Sequence, residues 1–236
     1  HEAGRLLSGY GGILGSADND YEGTQQALGQ AIAIARREAD VLLELKTLAY
    51  SAVVRGNYLH LRESIEDGLQ AVELGAGTNN SEPEILSRWW IAAGSLHLGD
   101  SDTARPHALA LRGADNGPTS RLLTSIRFVP AICLSCLEGD WAQARNLSDR
   151  SLELTPTNQQ LIGLRMLLEY ETGEIAQGQA YLGQFLEIMG RRIDLFSTGT
   201  TSMAIASVAR ITGVTARLDI AQTAAEAVIQ DSSATP

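Results

Sequence analysis

The stretch Glu138-Gly-Asp-Trp-Ala-Gln-Ala144, followed by Leu152-Glu-Leu-Thr-Pro156, decides how this chain folds. Glycine reaches the left-handed conformation that ends a helix, and the aspartate after it offers an oxygen to the free N–H groups of the next helix. Proline ends the second helix because its φ is fixed and it has no N–H. The stretch therefore predicts a helical hairpin that turns at Gly139 and ends before Pro156.

Four other short segments share this pattern. They are Gly56-Asn-Tyr, Gly99-Asp-Ser, Gly173-Glu-Ile and Gly213-Val-Thr, and each separates two segments with helical apolar spacing. A weaker turn is expected between Gly15 and Tyr21. The spacing of about 40 residues, with two helices in each interval, is typical of a helical repeat array.

We therefore predict an all-α fold, a right-handed superhelix of about six stacked antiparallel hairpins, because stacked hairpins bury apolar faces that one hairpin cannot. The predicted first helices cover about 3–14, 41–55, 83–98, 119–138, 158–172 and 195–212. The predicted second helices cover about 21–39, 58–75, 102–114, 141–154, 175–190 and 214–230. Pro130 should kink or divide its helix. One repeat domain is expected over 1–230, with 231–236 as a linker or tail.

Composition narrows the classes of function. The 236 residues include 18 basic and 28 acidic side chains, for a formal net charge of −10. Such an acidic chain is poorly suited to a phosphate backbone, so we expect no direct nucleic-acid binding. No apolar run is long enough to span a membrane, no signal peptide is visible, and the two cysteines fit a reducing compartment, so we expect a cytoplasmic protein without membrane contact. Because the chain begins at His1 and not at Met, we expect it to be part of a longer protein.

The hairpins resemble the tetratricopeptide repeat (TPR), in which a small residue follows the turn glycine by five positions and lies where two helices touch. Ala104 and Ala144 occupy that position, and Pro156 closes a second helix as in the repeat. The lengthened units, and the segment from Ala27 to Glu38, resemble the sensor regions of large bacterial LuxR/MalT-like regulators and of ATPase-containing nucleotidyl cyclases. This resemblance implies a TPR-like α-solenoid with a concave groove that binds a protein or peptide segment, another domain of the same parent chain, or a small inducer.

The first helices line the groove in such arrays. Aligning the hairpins on their turn glycines predicts one groove stripe, made of Arg5, Lys46, Tyr50, Trp89, Ile126, Cys133, Tyr170, Met203 and Arg210. Tyr, Trp and Arg are frequent anchors of recognition sites. Trp89 and Trp90 are also good core residues, and Arg165 could pair with Glu169 one turn away.

The motifs that would indicate catalysis or a cofactor are incomplete. Cys133 and Cys136 are half of a zinc site, and the segment 18–23 lacks the closing Glu of a calcium loop. The glycines between 9 and 15 lack the strand and the Lys-Ser/Thr of a phosphate loop. We therefore expect a non-catalytic scaffold without metal or cofactor. A small-inducer sensor, as in a LuxR/MalT-like transcription regulator or a signalling ATPase, and an unrecognised all-α enzyme are the alternatives.

Overall fold

The computed structural model describes residues 2–13, 20–76, 81–113 and 121–189, with separate positions between Ala206 and Glu226. Those four ranges contain helices and no strand, which confirms the all-α prediction for them. The helices are α1 (Glu2–Ile13), α2 (Tyr21–Glu38), α3 (Val41–Asn57), α4 (Leu61–Gly75), α5 (Ser81–His97), α6 (Ser101–Gly113), α7 (Arg121–Ile126), α8 (Val129–Leu137), α9 (Trp141–Leu154), α10 (Gln159–Glu171) and α11 (Ile175–Met189).

The observed helix ends follow local capping. Asp100 and Asp140 each accept a hydrogen bond from a backbone N–H in the first turn of the next helix, at 3.0 and 3.1 Å, as the turn pattern predicts. Asn158 does the same for α10 at 3.0 Å. The predicted helices over 195–212 and 214–230, and the turn after Gly15, lie outside the continuously described ranges.

The predicted helix over 119–138 is divided into α7 and α8, with Arg127 and Phe128 in the turn between them. Pro130 is the second residue of α8, where a missing N–H leaves no hydrogen bond unmade. A helix continued through residue 130 would press the proline ring against the carbonyl group of Ile126. The chain therefore accommodates Pro130 by ending one helix and beginning another, and not by kinking a single helix.

The chain divides into two compact units, His1–Thr119 and Ser120–Thr235. In the first unit each of α1 to α5 packs against the helix that follows it, and α3 also packs against α1 and α5. In the second unit α9 packs against α7, α8 and α10, and α10 packs against α11. Within each unit, helices thus contact their near neighbours along the chain, as a hairpin repeat requires.

A small residue recurs near the start of each second helix. Thr24, Ser64, Ala104 and Ala144 follow one another at intervals of 40 residues and are all 0% exposed. Each donates its N–H to the carbonyl group of the residue that precedes its helix, and buried Gly178 does the same in α11. Ala104 and Ala144 are therefore buried small residues at the predicted positions, where a larger side chain would hold the neighbouring helix away.

The predicted turn of the second hairpin at Gly56 is wrong. The hairpin turns at Leu59, whose φ is +64°, and Gly56 and Asn57 are the last two residues of α3. His60 precedes α4 and provides no side-chain cap. Among the described residues, four glycines at predicted turns have φ between +69° and +82°: Gly99, Gly139, Gly173 and Gly213.

Close packing, and not turn geometry, explains Gly56. A Cβ atom at this position would overlap the six-membered ring of Trp90 on α5. Gly4 plays a similar part in α1, where a Cβ atom would lie 2.6 Å from Cδ2 of Leu43 on α3. Both glycines thus permit close contact between consecutive first helices.

Candidate binding surfaces

In the first unit, the predicted groove residues differ in exposure. Arg5 and Lys46 are exposed, and Tyr50 is half-buried. Trp89 is 8% exposed and contacts Trp90 edge to face, with ring centroids 4.7 Å apart. Of the predicted groove residues in this unit, Arg5, Lys46 and part of Tyr50 are therefore available to a partner.

The true turn at Leu59 changes the alignment of the hairpins. Counted from the left-handed turn residue, Tyr50 of α3 corresponds to Trp90 of α5, and Trp89 corresponds to buried Ala49. An alignment that uses Gly56 as the turn residue shifts α3 by three residues relative to the other first helices, because Gly56 lies inside α3 and the turn residue is Leu59. Tyr50 and Trp89 therefore occupy different positions of the repeat.

In the second unit, Ile126 of α7 and Cys133 of α8 are half-buried. Tyr170 of α10 is 4% exposed and belongs to a core cluster with Ile162, Met166 and Phe185. Its ring also lies against Gly178, where a Cβ atom would be 3.0 Å from the ring carbons. Most of the Tyr170 surface is therefore used in packing. Met203 and Arg210 lie outside the described residues.

The two cysteines are one turn apart on α8, and both are free thiols. Burial raises the pKa of Cys133 to about 12, with a further contribution from neighbouring Cys136. Burial also raises the pKa of Cys136 to about 11. Thiols with such values are protonated near neutral pH, so neither is an activated nucleophile.

Three rings pack together in the first unit, where α2 begins and where α3 turns into α4. Tyr21 stacks on His60, with centroids 4.6 Å apart and planes 11° from parallel. Tyr21 also contacts Tyr58 at 4.9 Å between centroids. Tyr58 and His60 flank Leu59 in sequence, and the side chain of Leu59 is 60% exposed. We call Tyr21, Tyr58, Leu59 and His60 the tip cluster.

A charged pair, Arg55 and Asp67, lies close to Tyr21 of the tip cluster. The Nε–H of Arg55 donates to Oε1 of Gln25 at 3.0 Å, and this nitrogen lies 3.3 Å from Oδ2 of Asp67. Asp67 is 8% exposed. Burial raises its pKa, and a hydrogen bond from Ser51 and the charge of Arg55 offset only part of that effect. Arg55 and Asp67 thus neutralise each other between α3 and α4.

A second ionic network joins α9 to α10. Glu169 is 2% exposed, and it accepts hydrogen bonds from Arg145 at 2.8 Å and Arg165 at 2.5 Å. Burial opposes ionisation of Glu169, but the two guanidinium groups outweigh it, so its pKa lies below the ordinary value. Arg165 also pairs with Asp149. The predicted pairing of Arg165 with Glu169 is confirmed. Sequence reasoning missed Arg145, which is distant in the chain.

Three other arginines, Arg88, Arg127 and Arg150, have partners within the fold. Arg88 of α5 pairs with Glu84 at 2.8 Å and lies 3.5 Å from the Nδ1 atom of His107. Burial, and then the charge of Arg88, lower the pKa of His107. Phe128 is buried, and the guanidinium carbons of Arg127 and Arg150 lie 4.9 and 5.0 Å from its ring centroid. These arginines therefore contribute to internal packing and ion pairing.

Neither a metal centre nor a membrane span is found in the described part of the chain. Within the described ranges, no three His, Cys, Asp or Glu side chains gather closely enough to hold a metal ion. Asp20, from the calcium-like segment, caps α2 by accepting from the N–H of Gly23 at 2.8 Å. Among the helices that the structure describes, none is both long and apolar enough to cross a bilayer.

The arrangement can therefore offer exposed polar and aromatic side chains on a helical framework, and its internal charges are largely paired with one another.

Comparison with known proteins adds no relative to this description. No protein-family model matches the chain. No curated protein and no solved structure matches it either.

Proposed function

We propose that this chain is a TPR-like α-solenoid, a right-handed superhelix of stacked hairpins, that binds a protein or peptide segment without catalysing a reaction. The observation that carries the proposal is the recurring hairpin. A buried small residue returns every 40 residues from Thr24 to Ala144. In the first unit, the first helices α1, α3 and α5 pack in consecutive order. Repeats of this kind present corresponding side chains along one extended surface.

The surface that we assign to the partner is the exposed side of these first helices. Lys46 and Tyr50 are one helical turn apart on α3, so their side chains share one face. A tyrosine supplies apolar contact area and a hydroxyl group at little entropic cost. Lys46 and Arg5 provide positive charge that favours a carboxylate on the partner and sets its orientation.

The partner in this proposal is a peptide segment or another domain of the same parent chain. We place the chain in the sensor region of a larger cytoplasmic regulator of the LuxR/MalT-like kind, on the basis of the resemblance of its repeats. Two half-buried cysteines with free thiols are consistent with that compartment.

Selection of peptides tests the proposal directly. A phage-displayed library of random 16-residue peptides is selected against the whole chain, and the affinity of the enriched peptides is then measured by fluorescence polarisation. Lys46→Ala and Tyr50→Ala should each weaken binding by about tenfold, because anchors at a recognition site typically contribute more than 1 kcal/mol. The circular dichroism spectrum should be unchanged.

Arg37→Ala provides the matched control, because Arg37 is exposed on the second helix α2 and pairs with adjacent Glu38. This variant should bind the selected peptides normally. A library that yields no binder, or binders that depend on Arg37 and not on Lys46 or Tyr50, would contradict the assigned surface.

A further inference from the structure

We propose that the tip cluster is a second docking site, which receives a peptide segment with a lysine or arginine next to an apolar side chain. The site is separate from the first-helix surface proposed above. It consists of the exposed side chain of Leu59 held between two packed aromatic residues, with acidic side chains around it.

Exposure and rigidity are the first argument. Leu59 is 60% exposed, and its neighbours Tyr58 and His60 both lie against or beside the ring of Tyr21. The rings contact one another at centroid distances of 4.6 and 4.9 Å, which leaves no space for a ligand between them. A partner must therefore bind on top of the cluster, where packed rings on both sides of Leu59 in sequence hold the backbone that presents its apolar side chain.

The second argument is the departure of this hairpin from its neighbours. The turns at Gly99 and Gly139 have glycine at the left-handed position and a capping aspartate after it. The second hairpin instead has leucine at φ +64°, followed by a histidine that provides no side-chain cap. A leucine in this conformation is strained, and glycine would satisfy the turn. Leu59 is therefore explained by its displayed side chain and not by the needs of the turn.

The charged side chains around Leu59 indicate what kind of partner binds the tip cluster. The exposed carboxylates of Asp20 and Glu22 flank Tyr21 in sequence, and that of Glu63 is close enough to raise the pKa of Tyr21, although less than burial does. The charge of Arg55 acts on Tyr21 more strongly than that of Glu63, but Arg55 is paired with Asp67, and Arg62 is the exposed cation of these segments. The surroundings of Leu59 are thus acidic, in a chain with net charge −10, and complement a cationic segment.

The probe is an array of synthetic 12-residue peptides in which a central Leu or Phe is flanked by Lys, by Gln or by Glu on a Gly-Ser background. Binding to the whole chain should be strongest for the Lys series and absent for the Glu series. It should weaken as salt is added, because exposed charges are screened. Equal binding of the three series, preference for Glu, or no binding in any series would overturn the proposal.

Leu59→Gly separates docking from folding. The substitution removes the apolar contact and also relieves the left-handed leucine, so it should lower peptide affinity by about tenfold or more and raise the melting temperature. A fall in melting temperature would show that Leu59 supports the fold, and unchanged affinity would show that it does not contact the peptide. Either result would refute the assignment.

Three further variants complete the test. Glu63→Gln should weaken the Lys series by about two- to fivefold and leave the Gln series unchanged, as expected for an exposed ion pair. Leu98→Ala is the matched control and should leave peptide affinity unchanged. Leu98 is also an exposed leucine beside a turn, at 44% exposure, but the left-handed residue of that turn is Gly99. Lys46→Ala should also retain binding to this array, and its loss would mean that the peptides bind the first-helix surface instead.

Discussion

Gly56 of α3 lies so close to the indole ring of Trp90 on α5 that no side chain fits between them. The two residues belong to consecutive first helices, which pack against each other. A glycine thus sets the distance between neighbouring repeats of the first unit, and the bulk of Trp90 fills the space that it leaves.

Replacement of Gly56 by alanine should therefore destabilise the protein. The added methyl group must displace the Trp90 ring, and overpacking of this kind costs about 1–3 kcal/mol. Urea unfolding followed by circular dichroism measures the loss. Gly29→Ala is the control, because nothing lies within 4 Å of a Cβ atom at this exposed position of α2. It should raise the free energy of unfolding by about 0.5–1 kcal/mol, as alanine does in a helix. Similar effects at both positions would contradict the packing role of Gly56.

Glu169→Gln should cost about 3 kcal/mol near neutral pH, because it leaves two guanidinium groups beside a neutral amide in a buried site. Asp149→Asn removes a partner of Arg165 that is 56% exposed, and it should cost less than about 1 kcal/mol. Because the pKa of Glu169 is lowered in the folded state, its stabilising contribution is present above the unfolded pKa and is lost as pH falls through the folded pKa. The difference between wild type and Glu169→Gln in urea unfolding should therefore shrink in acid. A cost that does not depend on pH would argue against a charged Glu169.

Asp67 should show the opposite dependence on pH. Burial raises its pKa above the ordinary value of 3.8, so at a pH between that value and the raised pKa the folded protein binds more protons than the unfolded chain. Stability attributable to Asp67 therefore decreases as pH rises through this window. Compared with wild type, Asp67→Asn should gain relative stability as pH rises through the raised pKa of Asp67, as measured by urea unfolding at a series of pH values. Exposed Glu66 on the same helix provides the control, and Glu66→Gln should show no such gain. If Asp67→Asn instead lost stability relative to wild type as pH rises, the pKa of Asp67 would not be raised in the folded protein.

The cysteines should react slowly in the folded protein. With pKa values of about 12 and 11, Cys133 and Cys136 contain little thiolate at pH 8. Mass spectrometry after timed exposure to iodoacetamide should find both thiols mostly unmodified under native conditions. In concentrated urea the same reagent should label both completely. Rapid native labelling of either cysteine would indicate an accessible thiolate.

Local chemistry made much of this fold predictable. A Gly-Asp pair determines both the end of one helix and the beginning of the next, so the limits of α9 were predicted without error. The pairing of Arg165 with Glu169 could also be anticipated, since the residues are one turn apart. Neither prediction requires knowledge of distant parts of the chain.

Gly56 shows where such reasoning fails. A glycine can serve a left-handed turn or a close contact, and only its three-dimensional neighbours distinguish the two. The left-handed Leu59 has no local sequence signal at all. The contact between Arg145 and Glu169 depends on how α9 and α10 pack, so spacing in the sequence could not reveal it. The tip cluster was missed for the same reason, since Tyr21 is distant in sequence from Tyr58 and His60.

The distribution of the three tryptophans gives each unit its own intrinsic optical signal. Trp89 and Trp90 are buried in edge-to-face contact in the first unit, with ring planes at 72°, whereas Trp141 is 38% exposed in the second. The paired indoles should couple their electronic transitions and produce an exciton band, while iodide should quench the emission of Trp141 selectively. Denaturation of the two halves can thus be followed separately in one unlabelled sample.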